Sequence, residues 1–316
     1  MPIVGVCASG ILRLTEFGLK QGERETPMSK KLNMLFGAGA IIAGYIAYNV
    51  VPNLFYRRGY TSHEMDLLTI AGHRGGAGLG RENTLSCIER GIEAGADVVE
   101  VDVHLTQDGE VVVCHDKSID RTTNGMGNIA DLTLAEVQSF HVVDDAGNPT
   151  PEFIPTLAEV LETVSGRCKL LIEIKHQTGR YEVERKVVET VHSFGASEWV
   201  SVQSFSDESL AEVHRIDPSI KLEKLLIFRV KGLPAIYDGG FASFDYEKYS
   251  YISSFNFYYR SVTRRMIETL HEHGKEVKIW TLAGPEDTPH LPVDGIITDR
   301  PDLWRKNRKA GTKKRF

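Results

Sequence analysis

Residues 98–104 read Val-Val-Glu-Val-Asp-Val-His, and this alternation decides the fold class. Successive side chains of a β-strand point to opposite faces, so Val99, Val101 and Val103 share one side while Glu100 and Asp102 share the other. The valine side must be covered by helices. The two acids are then left inside the lumen of a closed barrel, near the C-terminal end of the strand, where barrel enzymes keep their chemistry.

Working outward from this strand, apolar β-rich segments alternate with helical ones, the pattern of an α/β fold on a parallel sheet. Strands are predicted at Thr69–Arg74, Asp97–His104, Lys169–Lys175, Trp199–Ser204, Lys221–Ile227, Tyr251–Phe255, Glu276–Thr281 and Asp294–Thr298. Helical spacing of apolar residues marks Thr84–Glu93, Thr156–Val164, Glu182–Ser193, Asp207–Ile216 and Thr263–His273. Eight strand–helix units within residues 69–304 suit a (β/α)8 TIM barrel, which typically needs ~250 residues. One segment departs from the alternation. Gln107-Asp108-Gly109 is a hairpin signal, so Val111–His115 is expected to run back antiparallel beside the second strand. Residues 117–155, with a short helix at Leu134–Phe140, then read as an insertion over one mouth of the barrel.

The third strand, Leu170–His176, repeats the inward pattern with Glu173 and Lys175. Three carboxylates crowded into one lumen repel one another and resist ionisation unless a cation neutralises them. A single acid would be explained by pairing with Lys175 or Arg74. Three on adjacent strands point instead to a divalent cation, and an all-oxygen site favours Mg2+ or Ca2+. The first strand ends in His73-Arg74-Gly75-Gly76 and the arm in His115-Asp116, so two histidines converge on one mouth. Imidazoles titrate near neutral pH and suit the acid and base of a displacement. Arg74 brings a planar fork and Lys175 a point charge, both fit for a phosphate group. Trp280 reads either as an apolar wall for a substrate or as a core tryptophan, which look identical in sequence. His104 shares the inward face but lies past the acids at the hairpin entry, and His271 and His273 lack metal-ligand spacing.

With these residues in place, the chain resembles the glycerophosphodiester phosphodiesterase family. The resemblance rests on His73-Arg74-Gly75, Glu82-Asn83-Thr84, the Glu100–Asp102 pair, Thr106–Asp116, Arg121–Gly125, Leu132–Val137, Ile154–Leu161, Glu173–Lys175 and Asp294–Pro301. It implies a TIM barrel that hydrolyses glycerophosphodiesters to sn-glycerol 3-phosphate and an alcohol. It implies a divalent cation on Glu100, Asp102 and Glu173, acid–base roles for His73 and His115, phosphate contacts from Arg74 and Lys175, and support from Glu82 and Asn83. Two positions depart from the pattern. Ala283 stands where many members carry an asparagine after the tryptophan strand, and Arg81 replaces the proline before Glu82. An alternative substrate is a lysophospholipid, cleaved in the manner of a phospholipase D. A catalytically silent phosphodiester binder is a third reading, opposed by the paired histidines.

A net charge of -6 over 316 residues argues against nucleic-acid partners, which need a basic field. The four cysteines form no CxxC pair and read as buried free thiols. Oligomeric state is left open. Residues 32–56 carry 25 consecutive uncharged residues between Lys30-Lys31 and Arg57-Arg58, long enough to span a bilayer as a single transmembrane helix. A cleaved signal peptide is the rival reading. Basic residues on both sides lean toward an inside N-terminus and a non-cytoplasmic catalytic domain. Residues 1–31 form an N-terminal segment, with Met28 as a candidate true start; 57–68 read as a linker, and 305–316 as a basic tail able to touch anionic lipid.

Overall fold

The computed structural model describes residues 59–175, 182–227, 245–286, 288 and 290–305. Its strands are β1 (Thr69–Gly72), β2 (Val98–Leu105), β3 (Val111–Val113), β4 (Lys169–Ile174), β5 (Val200–Ser204), β6 (Lys221–Leu226), β7 (Ile252–Tyr258), β8 (Glu276–Leu282) and β9 (Gly295–Thr298). They form one sheet in the order β1-β9-β8-β7-β6-β5-β4-β2-β3, and a parallel β1–β2 pairing closes it into a barrel. Only β3 runs antiparallel, pairing Val103 with Val113 and Leu105 with Val111 as the hairpin reading requires.

The valine side of β2 is covered as the alternation demands. Val99, Val101 and Val103 are fully buried in the layer between strands and helices, with Ile88, Leu157 and Leu161. These come from helices α2 (Leu85–Glu93) and α4 (Leu157–Val164). The remaining helices are α1 (Ser62–Leu67), α3 (Leu134–Val137), α5 (Glu182–Ser193), α6 (Asp207–Ile216), α7 (Arg264–Glu272) and α8 (Pro301–Trp304). Threonine caps start several of them: Thr61, Thr133 and Thr156 each form a reciprocal capping box with the glutamate three residues on, a device worth about 1 kcal/mol per cap. The insertion has its own small core of Val112, Cys114, Ile119, Ile129, Val137 and Ile154, which binds it to the β3 arm.

Several boundaries differ from the sequence reading. β1 stops at Gly72, because Arg74 takes a left-handed backbone conformation (φ 51°) and His73–Gly75 become a tight 3-10 turn. β3 ends two residues before His115, and the insertion helix stops at Val137 instead of Phe140. β7 runs on to Tyr258, since Asn256 and Phe257 still pair with β8. The stretch expected as a linker contains α1, and Arg305, expected in the tail, is buried: it donates to Met65 O at 2.7 Å and Leu68 O at 2.8 Å and pairs with Asp97. Cys87, Cys114 and Cys168 are free buried thiols. Among the described residues no helix is long and apolar enough to cross a membrane. The segment 32–56 and the tail beyond Arg305 lie outside them.

One contact shapes the mouth. Gly91 of α2 packs so tightly on the turn after β1 that a Cβ there would lie 2.1 Å from Gly75 O. Gly75 itself has φ +84° and no room for a side chain against Ile88. The helix and the turn therefore meet backbone to backbone.

Candidate active site

Glu100, Asp102 and Glu173 meet inside the barrel, all buried, with one carboxylate oxygen from each lying within 4.8 Å of the others. Parallel register explains the meeting, because Asp102 pairs directly with Glu173 across β2 and β4. Each acid has its own support. Glu100 accepts from Arg74 N at 2.8 Å and from Gln203 Nε2 at 3.2 Å. Asp102 accepts from Asn83 Nδ2 at 2.9 Å and faces Lys175 Nζ at 2.8 Å. Lys175 also donates to Glu173.

The electrostatics follow from this crowding. Burial, with Asp102 beside it, raises the pKa of Glu100 and pushes Glu173 up to about 8. Burial also opposes ionisation of Asp102, but the positive charge of Lys175 overcomes it and holds that carboxyl below its usual range. Lys175, whose pKa burial would lower, is instead raised by Asp102 and Glu173. Lys175 and Arg74 do not offset this crowding, since Glu100 and Glu173 still resist ionisation, and the donors are all oxygen. Such a set fits a hard divalent cation.

Two imidazoles flank the acids. His73, on the turn after β1, bonds Asp299 Oδ1 through Nδ1 at 2.7 Å. His115, beyond β3, bonds Asp116 Oδ1 through Nδ1, also at 2.7 Å. A carboxylate can only accept, so each Nδ1 is the donor and Nε2 is left for chemistry. Burial tends to lower His73, yet the Asp299 bond and the nearby Glu100 outweigh it and the pKa is raised. At His115 burial dominates, Lys175 and Arg74 add to it, and the pKa is lowered despite Asp102 and Asp116.

Arg74 reaches Glu82 Oε1 through Nη1 at 3.0 Å, and its Nε lies 3.7 Å from Asp102 Oδ2. The residues His73, Arg74, Glu100, His115, Glu173, Lys175 and Trp280 all border one open cavity of about 110 Å3. Trp280 is fixed by Nε1 donating to Asn256 O at 3.0 Å and stands edge-on to Phe205, ring centroids 5.8 Å apart. Thus every site residue expected from the sequence gathers at one mouth, with Glu82 and Asn83 one contact behind it. His104 is spent on His115 O at 3.2 Å and is not among the clustered acids.

Comparison with known proteins agrees with this geometry. The sequence profile of the glycerophosphoryl diester phosphodiesterase family matches residues 73–303. The chain belongs to this family. It is 34% identical over 254 residues to a glycerophosphodiester phosphodiesterase of Caldanaerobacter subterraneus subsp. tengcongensis, covering 78% of this chain and all of that protein. A solved glycerophosphodiester phosphodiesterase from Thermotoga maritima superposes with TM-score 0.62 at 29% identity, over 76% of this chain and 98% of that one. A second structure, of a Silicibacter pomeroyi family member, gives TM-score 0.66 at 25% identity, over 79% and 94%.

In this phosphodiesterase several supporting residues escaped the sequence reading. Asp299 and Asp116 orient the histidines, and Arg121 joins Asp116 to Glu82: its Nε donates to Asp116 at 2.6 Å and its Nη atoms to Glu82 at 2.9 and 2.7 Å. Arg121 holds Asp116 down to about 2, and together with Arg74 keeps Glu82 low against the opposing effect of burial. Arg81 binds Asp145 and Val143 O, both at 2.5 Å, tying the insertion to the loop before Glu82. Ala283 sits exposed just past β8.

Proposed function

We propose that the protein hydrolyses glycerophosphodiesters to sn-glycerol 3-phosphate and an alcohol, with a divalent cation, Mg2+ or Ca2+, on Glu100, Asp102 and Glu173. The observation that supports this best is the convergence of two aspartate-anchored imidazoles and two cationic side chains on one triad of buried acids. A cation held there would supply positive charge to offset the negative charge that builds on the phosphoryl oxygens in the transition state. Arg74 and Lys175 hold and orient the phosphate. One imidazole takes through Nε2 the proton of the nucleophile, either water or the neighbouring glycerol hydroxyl with water then opening the cyclic phosphate, and the other gives a proton to the departing alkoxide. Asp299 and Asp116 keep both rings in the tautomer this requires. Trp280 and Phe205 give the substrate an apolar wall.

That wall also favours a second substrate class. Phe205 is 45% exposed beside the cavity, an apolar surface for the chain of a lysophospholipid cleaved in the manner of a phospholipase D. A membrane-spanning segment at residues 32–56, with the barrel on the non-cytoplasmic side, would bring the enzyme to such lipids.

The purified protein assayed for choline release from glycerophosphocholine and from lysophosphatidylcholine, before and after EDTA, separates these readings. Loss of release on chelation, restored by Mg2+ or Ca2+, is expected. Full activity in EDTA removes the cation, and faster turnover of the lysolipid replaces the first substrate with the second.

A further inference from the structure

The lumen holds a chain of polar side chains that reaches from the acid triad to the opposite wall. Gln203 on β5 donates Nε2 to Glu100 Oε1, and its Oε1 accepts from Asn256 Nδ2 of β7 at 2.9 Å. The same Nδ2 donates to Glu223 Oε2 of β6 at 2.7 Å, and Lys278 Nζ of β8 donates to that oxygen at 2.6 Å. Ser201 and Ser254 complete the set, at 3.2 Å from Glu223 Oε1 and 2.9 Å from Asn256 Oδ1. Glu100, Gln203, Asn256, Glu223 and Lys278 are each at most 6% exposed.

The chain has a direction, which follows from the donor inventory alone. Lys278 has only protons to give, so Glu223 accepts, and an ionised Glu223 has none to pass on. Asn256 must then turn its amide nitrogen to Glu223, which leaves its oxygen for Ser254. With the nitrogen also facing Gln203, Gln203 must present its oxygen there and its nitrogen to Glu100. A reversed Gln203 would set its carbonyl oxygen against an oxygen of the buried Glu100 carboxylate, where repulsion is strong. Burial works against the charge on Glu223, and Lys278 more than offsets it, so Glu223 is held below its usual range.

We propose that Asn256 and the buried Glu223–Lys278 pair are positioning residues for Glu100, setting which end of the Gln203 amide faces this cation ligand. The inference rests on the cation reading of the acid triad. It makes a pair on the far wall of the barrel part of the machinery that holds the cation, by fixing the lone-pair direction of one ligand.

Mn2+ binding to the full-length protein, followed by the electron paramagnetic resonance of free Mn2+ alongside thermal melts, tests this without turnover. Outer-shell partners of a metal site commonly carry ten- to hundredfold in affinity. Gln203→Met is expected near ~100-fold weaker binding, and both Asn256→Leu and the neutral pair Glu223→Gln/Lys278→Met at about tenfold. A folded Asn256→Leu or double variant that binds Mn2+ within about twofold of wild type would overturn the proposal, since a purely structural network lowers the melting temperature and leaves affinity alone. Should the double variant fail to fold, Asn256→Leu removes no charge and carries the test. Wild-type protein that takes up no Mn2+ sinks the cation reading, and the relay with it.

Discussion

The two histidine–aspartate pairs at the mouth have the same bond and opposite surroundings. Both rings sit 2.7 Å from a carboxylate through Nδ1. His73 finds its partner 226 residues away, because barrel closure lays β1 beside β9. His115 finds its partner next door, and that aspartate is shared with Arg121 of the insertion. At His73 the Asp299 bond and the charge of Glu100 outweigh burial and Arg74, whereas at His115 burial, helped by Lys175 and Arg74, outweighs Asp102 and Asp116. The first ring therefore holds its proton more tightly than usual and the second less. A local motif sets the orientation of a ring; its titration is decided by what else faces it.

The strongest attempt to break this comparison is to delete each ring. His73→Ala and His115→Ala are each expected to lower kcat by about a thousandfold, within the range for positioned acid–base groups. A variant retaining kcat within tenfold of wild type would take that residue out of the proton transfers. Replacing the anchors comes next: Asp299→Asn and Asp116→Asn should each cost up to about a hundredfold, the scale of a misplaced reacting group. Their pH profiles of kcat/KM should also move differently. Loss of either carboxylate lowers the pKa of its own histidine. Asp299→Asn therefore pulls in the alkaline limb set by His73 and narrows the bell, while Asp116→Asn pushes out the acid limb set by His115 and widens it. Identical shifts of one limb in both variants would show that the two rings titrate as a unit. The smallest effect is expected at Arg121→Lys, about fivefold in kcat/KM for loss of a half-exposed ion-pair fork, accompanied by an acid limb moved to higher pH as Asp116 turns fully to His115. An unmoved acid limb would confine Arg121 to holding the insertion in place.

How legible the site was depends on where each residue lies. The triad could be read because period two operates inside a regular strand: valines on one face leave Glu100 and Asp102 on the other. The same rule applied to Ser201-Val202-Gln203, Leu222-Glu223, Ser254-Phe255-Asn256 and Val277-Lys278 marks the lumen relay, where polar residues alternate with apolar ones in buried strands. Asp299 and Arg121 carried no such periodicity. Their roles come from barrel closure and from an irregular insertion, where side-chain direction follows no repeat. The end of β1 was hidden for a related reason, since the left-handed Arg74 interrupts a stretch whose composition still reads as strand.

The backbone-to-backbone seat of α2 on the His73–Gly75 turn limits what protein engineering can do with this enzyme. Helix propensity alone would recommend alanine at Gly91, for a gain of about 1 kcal/mol. Here the added methyl would meet the carbonyl oxygen of Gly75, one residue from Arg74 and two from His73. A thermostabilising library chosen on helix propensity alone would therefore include the very change that unseats the turn, and Gly91 belongs among the positions such a library leaves untouched.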